Sequence, residues 1–431
     1  MSWLVPRLEL TPQQLRAIEL SPDAHRAIIG GPGSGKTQVL LHRAHYLCER
    51  YNVSRDRFRI FVYTNVLKNY IRSALQDLNL PEGNVLTFAS WCSDYYKEHI
   101  GRQLPWNNKE RMPDFAVIRR AVMRHATGGA VTSPLFDFVL VDEGQDLEAE
   151  IFEFLDKISM HVTVCLDSKQ QIYETGTSTD GILSKLRIRH HNVNLIDAYR
   201  VCPYLVEVAA EFIPDRGDRE AFRNQTRQPQ TERQTPLVFF ARNAEDEKQM
   251  LVQIMRERLL KNERIAVLFP QRRQVYGFAA GLTEAGIDVE VPEQPAGDLP
   301  VHDFASPRPK LMPYHSAKGL TFDTVLMPRL VSNAFHRVDK QRVERLLFVG
   351  ITRATKWCYF STDQNRPLPL LEQRIKQLTA RNQVTLIKSD MNLLYYPNRY
   401  GDDTADTADR SQVNFDDNNV DEHRNGDLSF L

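Results

Sequence analysis

A glycine-rich segment near the amino terminus constrains the fold more than any other feature of this sequence. Residues 30–37 read G-x-x-x-x-G-K-T and lie between an apolar run, RAIIG (26–30), and an amphipathic helical pattern, QVLLHRAHYLCER. A strand, a glycine-rich turn and a helix in this order are typical of a phosphate-binding loop. The alternative is a glycine-rich turn with an incidental lysine, but the flanking strand and helix favour the phosphate loop.

Each residue type in this loop suits the binding of a nucleoside triphosphate. Glycines let backbone N–H groups converge on phosphate oxygens at the amino-terminal end of a helix. The ammonium group of Lys36 neutralises the β- and γ-phosphates, and the hydroxyl of Thr37 is a ligand for Mg2+. The candidate nucleotide-binding residues are Gly30, Gly33, Ser34, Gly35, Lys36 and Thr37.

A second apolar run ends in two acidic residues. Residues 138–141 (FVLV) read as a buried strand, and Asp142 and Glu143 follow it directly. A carboxylate at the carboxyl edge of a strand beside a phosphate loop can hold Mg2+, so Asp142 is a candidate metal ligand together with Thr37. Glu143 can orient and deprotonate an attacking water. The alternative is a solvated acidic loop after a core strand.

Short apolar runs alternate with helical patterns along most of the chain. This alternation predicts an α/β fold in which parallel sheets are covered on both faces by helices. The length of 431 residues suits two large domains. The polar stretch 214–235 predicts a surface loop or short linker. The expected strands are 26–30, 58–63, 136–142, 162–167, 236–241, 265–269, 323–327 and 357–361.

Charge is unevenly distributed, although the formal net charge of the chain is zero. Residues 401–431 contain nine acidic residues and two arginines, a net charge of −7, so the preceding residues carry +7. The tail has too few apolar residues to form a core, and we expect it to be disordered. A positive body permits a polyanionic partner such as nucleic acid without requiring one.

Composition also narrows the class of protein. The five cysteines are scattered without a CxxC pair, so neither a zinc site nor a disulfide framework is expected. No run approaches the roughly 20 apolar residues that a membrane-spanning helix needs. We find no signal peptide and expect a cytoplasmic protein without a membrane partner.

Eight short motifs carry a resemblance to a known family. The chain resembles the UvrD/Rep/PcrA family of superfamily 1 DNA helicases from residue 8 to about residue 362. The resemblance implies two RecA-like parallel-sheet domains that share one ATP site. The motifs are LTPQQ (10–14), YTNVLKNYI (63–71), TFASWC (87–92), DEGQD (142–146), LDSKQQIY (166–173), DAYRVCP (197–203), HSAKGLTFD (315–323) and RLLFVGITRA (345–354).

The resemblance assigns further roles around the ATP site. It implies that Gln14 reads the adenine base and that Gln170 senses the γ-phosphate. It also implies that Arg200 and Arg353 reach the same phosphate from the second domain. Arginine suits this role because its guanidinium group can donate two hydrogen bonds at once, and charge spreads over the γ-phosphate oxygens in the transition state. The expected catalytic residues are therefore Glu143, Gln170, Arg200 and Arg353, with ATP and Mg2+ as cofactors.

A second set of residues implied by the resemblance faces nucleic acid. Polar side chains suit phosphate contacts and aromatic rings suit base stacking, a combination used for sequence-tolerant binding of single strands. Each residue also has an ordinary alternative as a helix cap, a core aromatic or a surface polar group. The expected DNA-binding residues are Thr64, Asn65, Thr87, Phe88, Tyr173, His315 and Lys318.

The chain departs from the family in several places. Residues 93–135 and 201–314 stand where the family carries large helical insertions, so we expect a compact form with reduced insertion subdomains. Thr321 replaces a family glutamate that contacts the ribose. The lysine at position 318, where the 5′-to-3′ branch commonly has glutamine, favours 3′-to-5′ polarity by resemblance.

Two functions remain open at this stage. The first is an ATP-dependent translocase or helicase on single-stranded DNA, with RNA not excluded. The second is a DNA-stimulated ATPase subunit that gates a partner effector, for example a nuclease, in a bacterial phage-defence system. For both, the expected division is an ATP-binding domain (1–190), a second RecA-like domain (191–400) and the acidic tail (401–431).

Overall fold

Two parallel six-stranded sheets organise the chain. In this computed structural model the described residues are 3–109, 111–128, 134–167, 177–188, 192–195, 198–199, 202–227, 234–292, 301–335 and 338–389. The expected α/β fold with two parallel-sheet domains is confirmed.

The strands and helices alternate as the sequence predicts. In chain order the strands are β1 (Arg26–Gly30), β2 (Phe58–Val62), β3 (Val85–Thr87), β4 (Trp106–Asn107), β5 (Met112–Pro113), β6 (Phe136–Val141), β7 (Ser159–Leu166), β8 (Asn192–Leu195), β9 (Ala198–Tyr199), β10 (Thr226–Arg227), β11 (Leu237–Ala241), β12 (Ile265–Phe269), β13 (Lys310–Pro313), β14 (Phe322–Met327), β15 (Ala354–Asp363) and β16 (Thr385–Lys388). The helices are α1 (Pro12–Glu19), α2 (Lys36–Tyr51), α3 (Asn65–Arg72), α4 (Phe88–His99), α5 (Phe115–Thr127), α6 (Ala149–Ile158), α7 (Thr179–Lys185), α8 (Pro203–Ala210), α9 (Arg216–Gln225), α10 (Ala244–Leu260), α11 (Arg272–Glu284), α12 (Lys340–Ile351) and α13 (Pro369–Ala380).

Strand order places the functional loops at the carboxyl edges of the two sheets. The first sheet has the order β3-β2-β6-β7-β1-β8 and the second the order β13-β12-β14-β15-β11-β16. Every pairing in both sheets is parallel. Since parallel strands end at the same edge, the loops after β1, β6 and β7 lie together there.

Buried apolar side chains on both faces explain why these runs form central strands. In β2, Ile60 packs into one hydrophobic cluster and its neighbour Phe61 into another, because successive side chains point to opposite faces. The cluster that contains Ile60 also contains Val325 and Cys358 of the second sheet. One apolar core therefore continues from the first sheet to the second.

All eight strands expected from the sequence are present. The apolar runs at 26–30 and 265–269 coincide with β1 and β12, and the other six match within a few residues. Several strands of the sheets were not predicted, among them β3, β13 and β16. These are short segments of three or four residues, and their apolar patterns are too brief to separate from loops.

The expectation of a loop or linker at 214–235 is wrong in part. Helix α9 occupies Arg216–Gln225 within this stretch. Asp215 accepts a hydrogen bond from the Asp218 backbone N–H at 2.8 Å, and the ring of Phe222 is buried against Phe348. A capping acid, a buried aromatic residue and the ion pairs of Arg223 with Glu207 and Glu211 dock this mostly polar helix.

The segment between α4 and β6 is small, as the sequence predicts. Among its described residues it contains the antiparallel hairpin of β4 and β5 and the 13-residue helix α5. This agrees with the reduced insertion expected for residues 93–135, the first of the two such segments.

The acidic tail, 401–431, lies outside the described residues. The expected domain boundary at residue 190 falls before β8, which pairs with β1 as the last strand of the first sheet. Among the described residues, no helix combines the length and the apolar character needed to cross a bilayer.

Candidate nucleotide site between the two domains

The phosphate-binding loop joins β1 to α2. Gly33 and Gly35 adopt φ angles of +75° and +83°, a region that glycine enters readily and other residues rarely do. A Cβ atom on Gly35 would also lie 2.5 Å from Nε2 of Gln14. The backbone conformation thus favours glycine at position 35, and a larger residue would also displace the Gln14 amide.

Gln14 attaches α1 to this loop. The backbone N–H of Gln14 donates to Thr11 Oγ1 at 3.2 Å, and the Thr11 N–H donates to Gln14 Oε1 at 2.9 Å, forming a capping box. Nε2 of Gln14 donates to the Ser34 carbonyl at 3.1 Å. Gln14 therefore lies beside the phosphate loop, at the start of a well-capped helix.

The buried ammonium group of Lys36 and the buried hydroxyl of Ser34 suit the binding of an anion. Nζ of Lys36 donates to the carbonyls of Gly30 at 2.7 Å and Gly31 at 3.0 Å and lies 3.3 Å from Asp167 Oδ2. Ser34 Oγ is a buried oxygen for which the described residues supply no hydrogen-bond partner. A phosphate oxygen would give this hydroxyl an acceptor.

Asp142 links the first sheet to the loop. Oγ1 of Thr37 donates to Asp142 Oδ2 at 2.7 Å, and the Glu143 backbone N–H donates to Asp142 Oδ1 at 3.0 Å. Burial, together with the charge of Glu143, raises the pKa of Asp142 to about 6. The described residues contain no cluster of three or more His, Cys, Asp or Glu side chains suited to a metal. Two adjacent hard oxygens do fit Mg2+, which usually takes one or two protein ligands and completes its shell with water and phosphate.

The carboxylate of Glu143 is held in one orientation. Gln145 Nε2 donates to Glu143 Oε2 at 2.6 Å, and Nζ of Lys318 lies 3.5 Å from the same oxygen. Burial would raise the pKa of Glu143, but nearby positive charges outweigh that effect and lower it. These charges belong to Lys318, Lys36 and Arg353.

Arg353 approaches from the second domain. Its side chain is buried, and it donates to the Val349 carbonyl at 3.1 Å, the Leu320 carbonyl at 3.3 Å and Thr352 Oγ1 at 3.2 Å. Burial lowers the pKa of Arg353, and the charge of Glu143 opposes this shift. Arg353 is thus a fixed cation within the electrostatic reach of the Glu143 carboxylate.

A cavity of about 290 Å³ receives residues from both domains. The phosphate loop and Glu143 form one side, and the second domain forms the other. The lining includes Trp3, Thr11, Gln14, Gly33, Lys36, Thr37, Tyr70 and Glu143 from the first domain and Arg264, Gly319, Thr321 and Arg353 from the second.

Two protein-family models match this chain, one on each side of the cavity. The UvrD/REP helicase N-terminal domain matches residues 10–133, and the UvrD-like helicase C-terminal domain matches residues 311–361. Both matches are to domains of UvrD-like helicases. The first match contains the phosphate loop, and the second contains Lys318 and Arg353.

Individual proteins similar to this chain are also named as helicases. The chain is 21% identical over 451 residues to a probable DNA helicase of Mycoplasma pneumoniae, covering 80% of this chain and 82% of the relative. Two shorter segments are 31% identical to ATP-dependent DNA helicase srs2 of Schizosaccharomyces pombe over 120 residues and 37% identical to a probable DNA helicase II homolog of Mycoplasma capricolum over 98 residues. These segments cover 26% and 21% of this chain but only 14% and 13% of the two relatives.

The described residues expected to face nucleic acid fall into four environments. Thr64 and Thr87 cap α3 and α4 by accepting the Leu67 and Ser90 backbone N–H groups, both at 3.1 Å. Asn65 and His315 are exposed. The ring of Phe88 is 5% exposed and packs against Phe61 and Trp91 in the core.

Lys318 lies away from the surface, in contrast to Asn65 and His315. Its side chain is 2% exposed, and Nζ donates to Asp146 Oδ2 at 2.5 Å. Three expected site residues, Gln170, Tyr173 and Arg200, lie outside the described residues.

Sequence reasoning assigned no role to several residues that the fold brings to this site. Gln145 connects Glu143 to the Asp167 backbone N–H, which donates to Gln145 Oε1 at 3.0 Å. Asp146 is the partner of Lys318, and burial raises the pKa of Asp146 to about 7. The signal for both residues was their place in the DEGQD motif.

Proposed function

We propose that this chain is a UvrD-like helicase that hydrolyses ATP and uses the hydrolysis to move along single-stranded DNA with 3′-to-5′ polarity. The observation that carries the proposal is the shared cavity, which is lined by the phosphate loop and Glu143 of the first domain and by Arg353 of the second. A site completed by a second domain makes hydrolysis depend on domain closure.

The residues of the cavity suit distinct steps of phosphoryl transfer. Lys36 binds the β- and γ-phosphates, and Ser34 and the loop backbone orient them. Bound Mg2+ would neutralise phosphate charge, held by the Thr37 hydroxyl and the Asp142 carboxylate. Glu143, ionised because surrounding cations lower its pKa, orients the attacking water and accepts its proton.

Arg353 stabilises the charge that develops on the γ-phosphate oxygens. Its guanidinium is already held by three oxygens of its own domain, so little reorganisation is needed when the domains close. By resemblance, Gln170 and Arg200 act beside it.

The proposed track for single-stranded DNA crosses the carboxyl edge of the first sheet. Asn65 and His315 are exposed, and Thr64 and Thr87 lie at helix starts, where backbone N–H groups favour phosphate. We also propose that the first RecA-like domain ends after β8 and not at residue 190, because Asn192–Leu195 pairs with β1. The second domain then extends to residue 400, and the acidic tail is 401–431.

The test measures ATP hydrolysis by the purified chain with single-stranded DNA, duplex DNA, RNA or no nucleic acid. We expect the strongest stimulation by single-stranded DNA, and displacement of a bound protein block from the 5′ end of the strand but not the 3′ end. ATP hydrolysis that is indifferent to nucleic acid would refute the proposed motor.

A second function is favoured by the small segment between α4 and β6. In this second function, the chain is a DNA-stimulated ATPase subunit that gates a partner effector such as a nuclease in phage defence. Stimulation by single-stranded DNA without displacement of the block or of a complementary strand would support this alternative over the translocase.

A further inference from the structure

Lys318 bridges the two domains at the carboxylates of Glu143 and Asp146. It follows the short helical turn Tyr314–Ala317 and precedes β14 of the second sheet. Its Nζ lies 2.5 Å from Asp146 Oδ2 and 3.5 Å from Glu143 Oε2, both in the segment that follows β6 of the first sheet. The side chains of Asp146 and Glu143 are 0% and 5% exposed. This ion pair is therefore desolvated and spans the domain boundary.

The contact with Lys318 constrains a particular atom of Glu143. Within the described residues, the hydrogen bond and the ion pair of this carboxylate both run through Oε2, which faces Gln145 Nε2 and Lys318 Nζ. Fixing one carboxylate oxygen leaves the other to meet a water molecule, and Glu143 lines the cavity. A cation at Oε2 thus orients the group that acts on the water.

The backbone next to Lys318 packs closely against the first domain. Gly319 has a φ of +79°, and a Cβ at this position would lie 2.9 Å from Leu67 Cδ1 of α3. Helix α3 begins at Asn65, immediately after its cap, Thr64. The close approach at Gly319 holds the lysine at the carboxylates and ties its loop to the helix that carries the proposed DNA contacts.

We propose that Lys318 is a positioning residue for hydrolysis and not a nucleic-acid contact. It orients Glu143 and Asp146 from the second domain, so the carboxylate reaches its working geometry only when the two domains are together. This inference rests on the proposed ATP hydrolysis. It changes the role that the family resemblance implied for Lys318, because a side chain 2% exposed and paired with two carboxylates cannot also reach a DNA phosphate.

The experiment compares the full chain with Lys318→Met and Lys318→Gln, and with Lys376→Met as a matched control. Lys376 lies on α13 with its side chain 75% exposed. For both Lys318 variants we expect kcat to fall on the order of 10²-fold with little change in KM for ATP. Affinity for single-stranded DNA and its dependence on salt should stay as in the unchanged chain. The control should match the unchanged chain in every measurement.

The opposite pattern would overturn the proposal. If Lys318 contacts phosphate, each variant should bind DNA more weakly, and the salt dependence should fall by about one unit of slope. Retained kcat in either variant also refutes the positioning role. Lys318→Gln keeps a donor of similar length, so it provides a readout if Lys318→Met does not fold, as judged by thermal unfolding. Lack of ATPase activity in the unchanged chain would refute the proposed function instead, so the two failures are distinct.

Discussion

The side-chain amide of Gln145 donates a 2.6 Å hydrogen bond to Oε2 of Glu143. The other end of the same amide accepts from the Asp167 backbone N–H at 3.0 Å. Gln145 is 1% exposed, so this bridge is fixed inside the protein. It connects the candidate base to the end of β7, from which the chain leads toward Gln170.

The Gln145 bridge predicts the effect of an isosteric substitution. Gln145→Glu keeps the acceptor for Asp167 but places a second carboxylate against Glu143, and two such groups cannot both stay ionised at hydrogen-bond distance. We expect kcat to fall on the order of 10²-fold with ATP binding retained. The control is Gln249→Glu on the exposed face of α10. Steady-state ATPase assays measure kcat. An undiminished kcat in Gln145→Glu would show that ATP hydrolysis does not need the hydrogen bonds made by Gln145.

Lys36 and Glu143 should differ in their effect on nucleotide binding. Lys36→Ala removes a contact with ground-state phosphates, whereas Glu143→Gln removes a group that acts mainly on the water. Both variants should lose turnover, but Glu143→Gln should still bind ATP. Equilibrium binding of a fluorescent ATP analogue measures this, and an equal loss of affinity in the two variants would contradict the role assigned to Glu143.

Local features of this site could be predicted from the sequence, but contacts between domains could not. The phosphate loop was predictable because β1, the glycines and α2 are contiguous. The pairing of Lys318 with Asp146 joins residues 172 positions apart, and no spacing rule reports such a contact. Phe88 shows the same limit, because its motif suggested a surface role whereas the packing of Phe61 and Trp91 places its ring in the core.

His302 should make the stability of the second domain depend on pH. Burial lowers the pKa of His302 to about 4, partly offset by its hydrogen bond with the Leu311 carbonyl. The folded protein thus keeps this imidazole neutral below pH 6.5, where the unfolded chain binds a proton. Stability from this group is present above pH 6.5 and is lost as the pH falls toward 4, by about 3 kcal/mol.

Urea unfolding at pH 7 and pH 4.5 checks the prediction for His302. His302→Gln should lose less stability between the two pH values than the unchanged chain. The control, His99→Gln, replaces an imidazole whose side chain is 42% exposed, and it should behave as the unchanged chain does. An identical pH dependence in His302→Gln would rule out His302 as a source of acid sensitivity.

The acidic tail can be tested for competition with DNA. Residues 401–431 carry a net charge of −7 and end in the apolar segment 428–431. Such a tail can cover a basic groove in the same chain, dock its apolar end in a partner's pocket or remain an inert, solvated terminus. If it covers the groove, deletion of 401–431 should raise the affinity for single-stranded DNA and steepen its salt dependence. Binding that is unchanged between roughly 50 and 200 mM salt would leave no role for the tail in covering the groove.

If the two domains share one ATP site, Arg353→Ala should impair turnover without preventing ATP binding. The matched control is Arg216→Ala, since Arg216 is 92% exposed on α9. The measurement is kcat for ATP in the presence of single-stranded DNA, together with ATP affinity. We predict a fall in kcat on the order of 10³-fold with only a modest change in nucleotide binding. Near-normal turnover of Arg353→Ala would contradict the shared site.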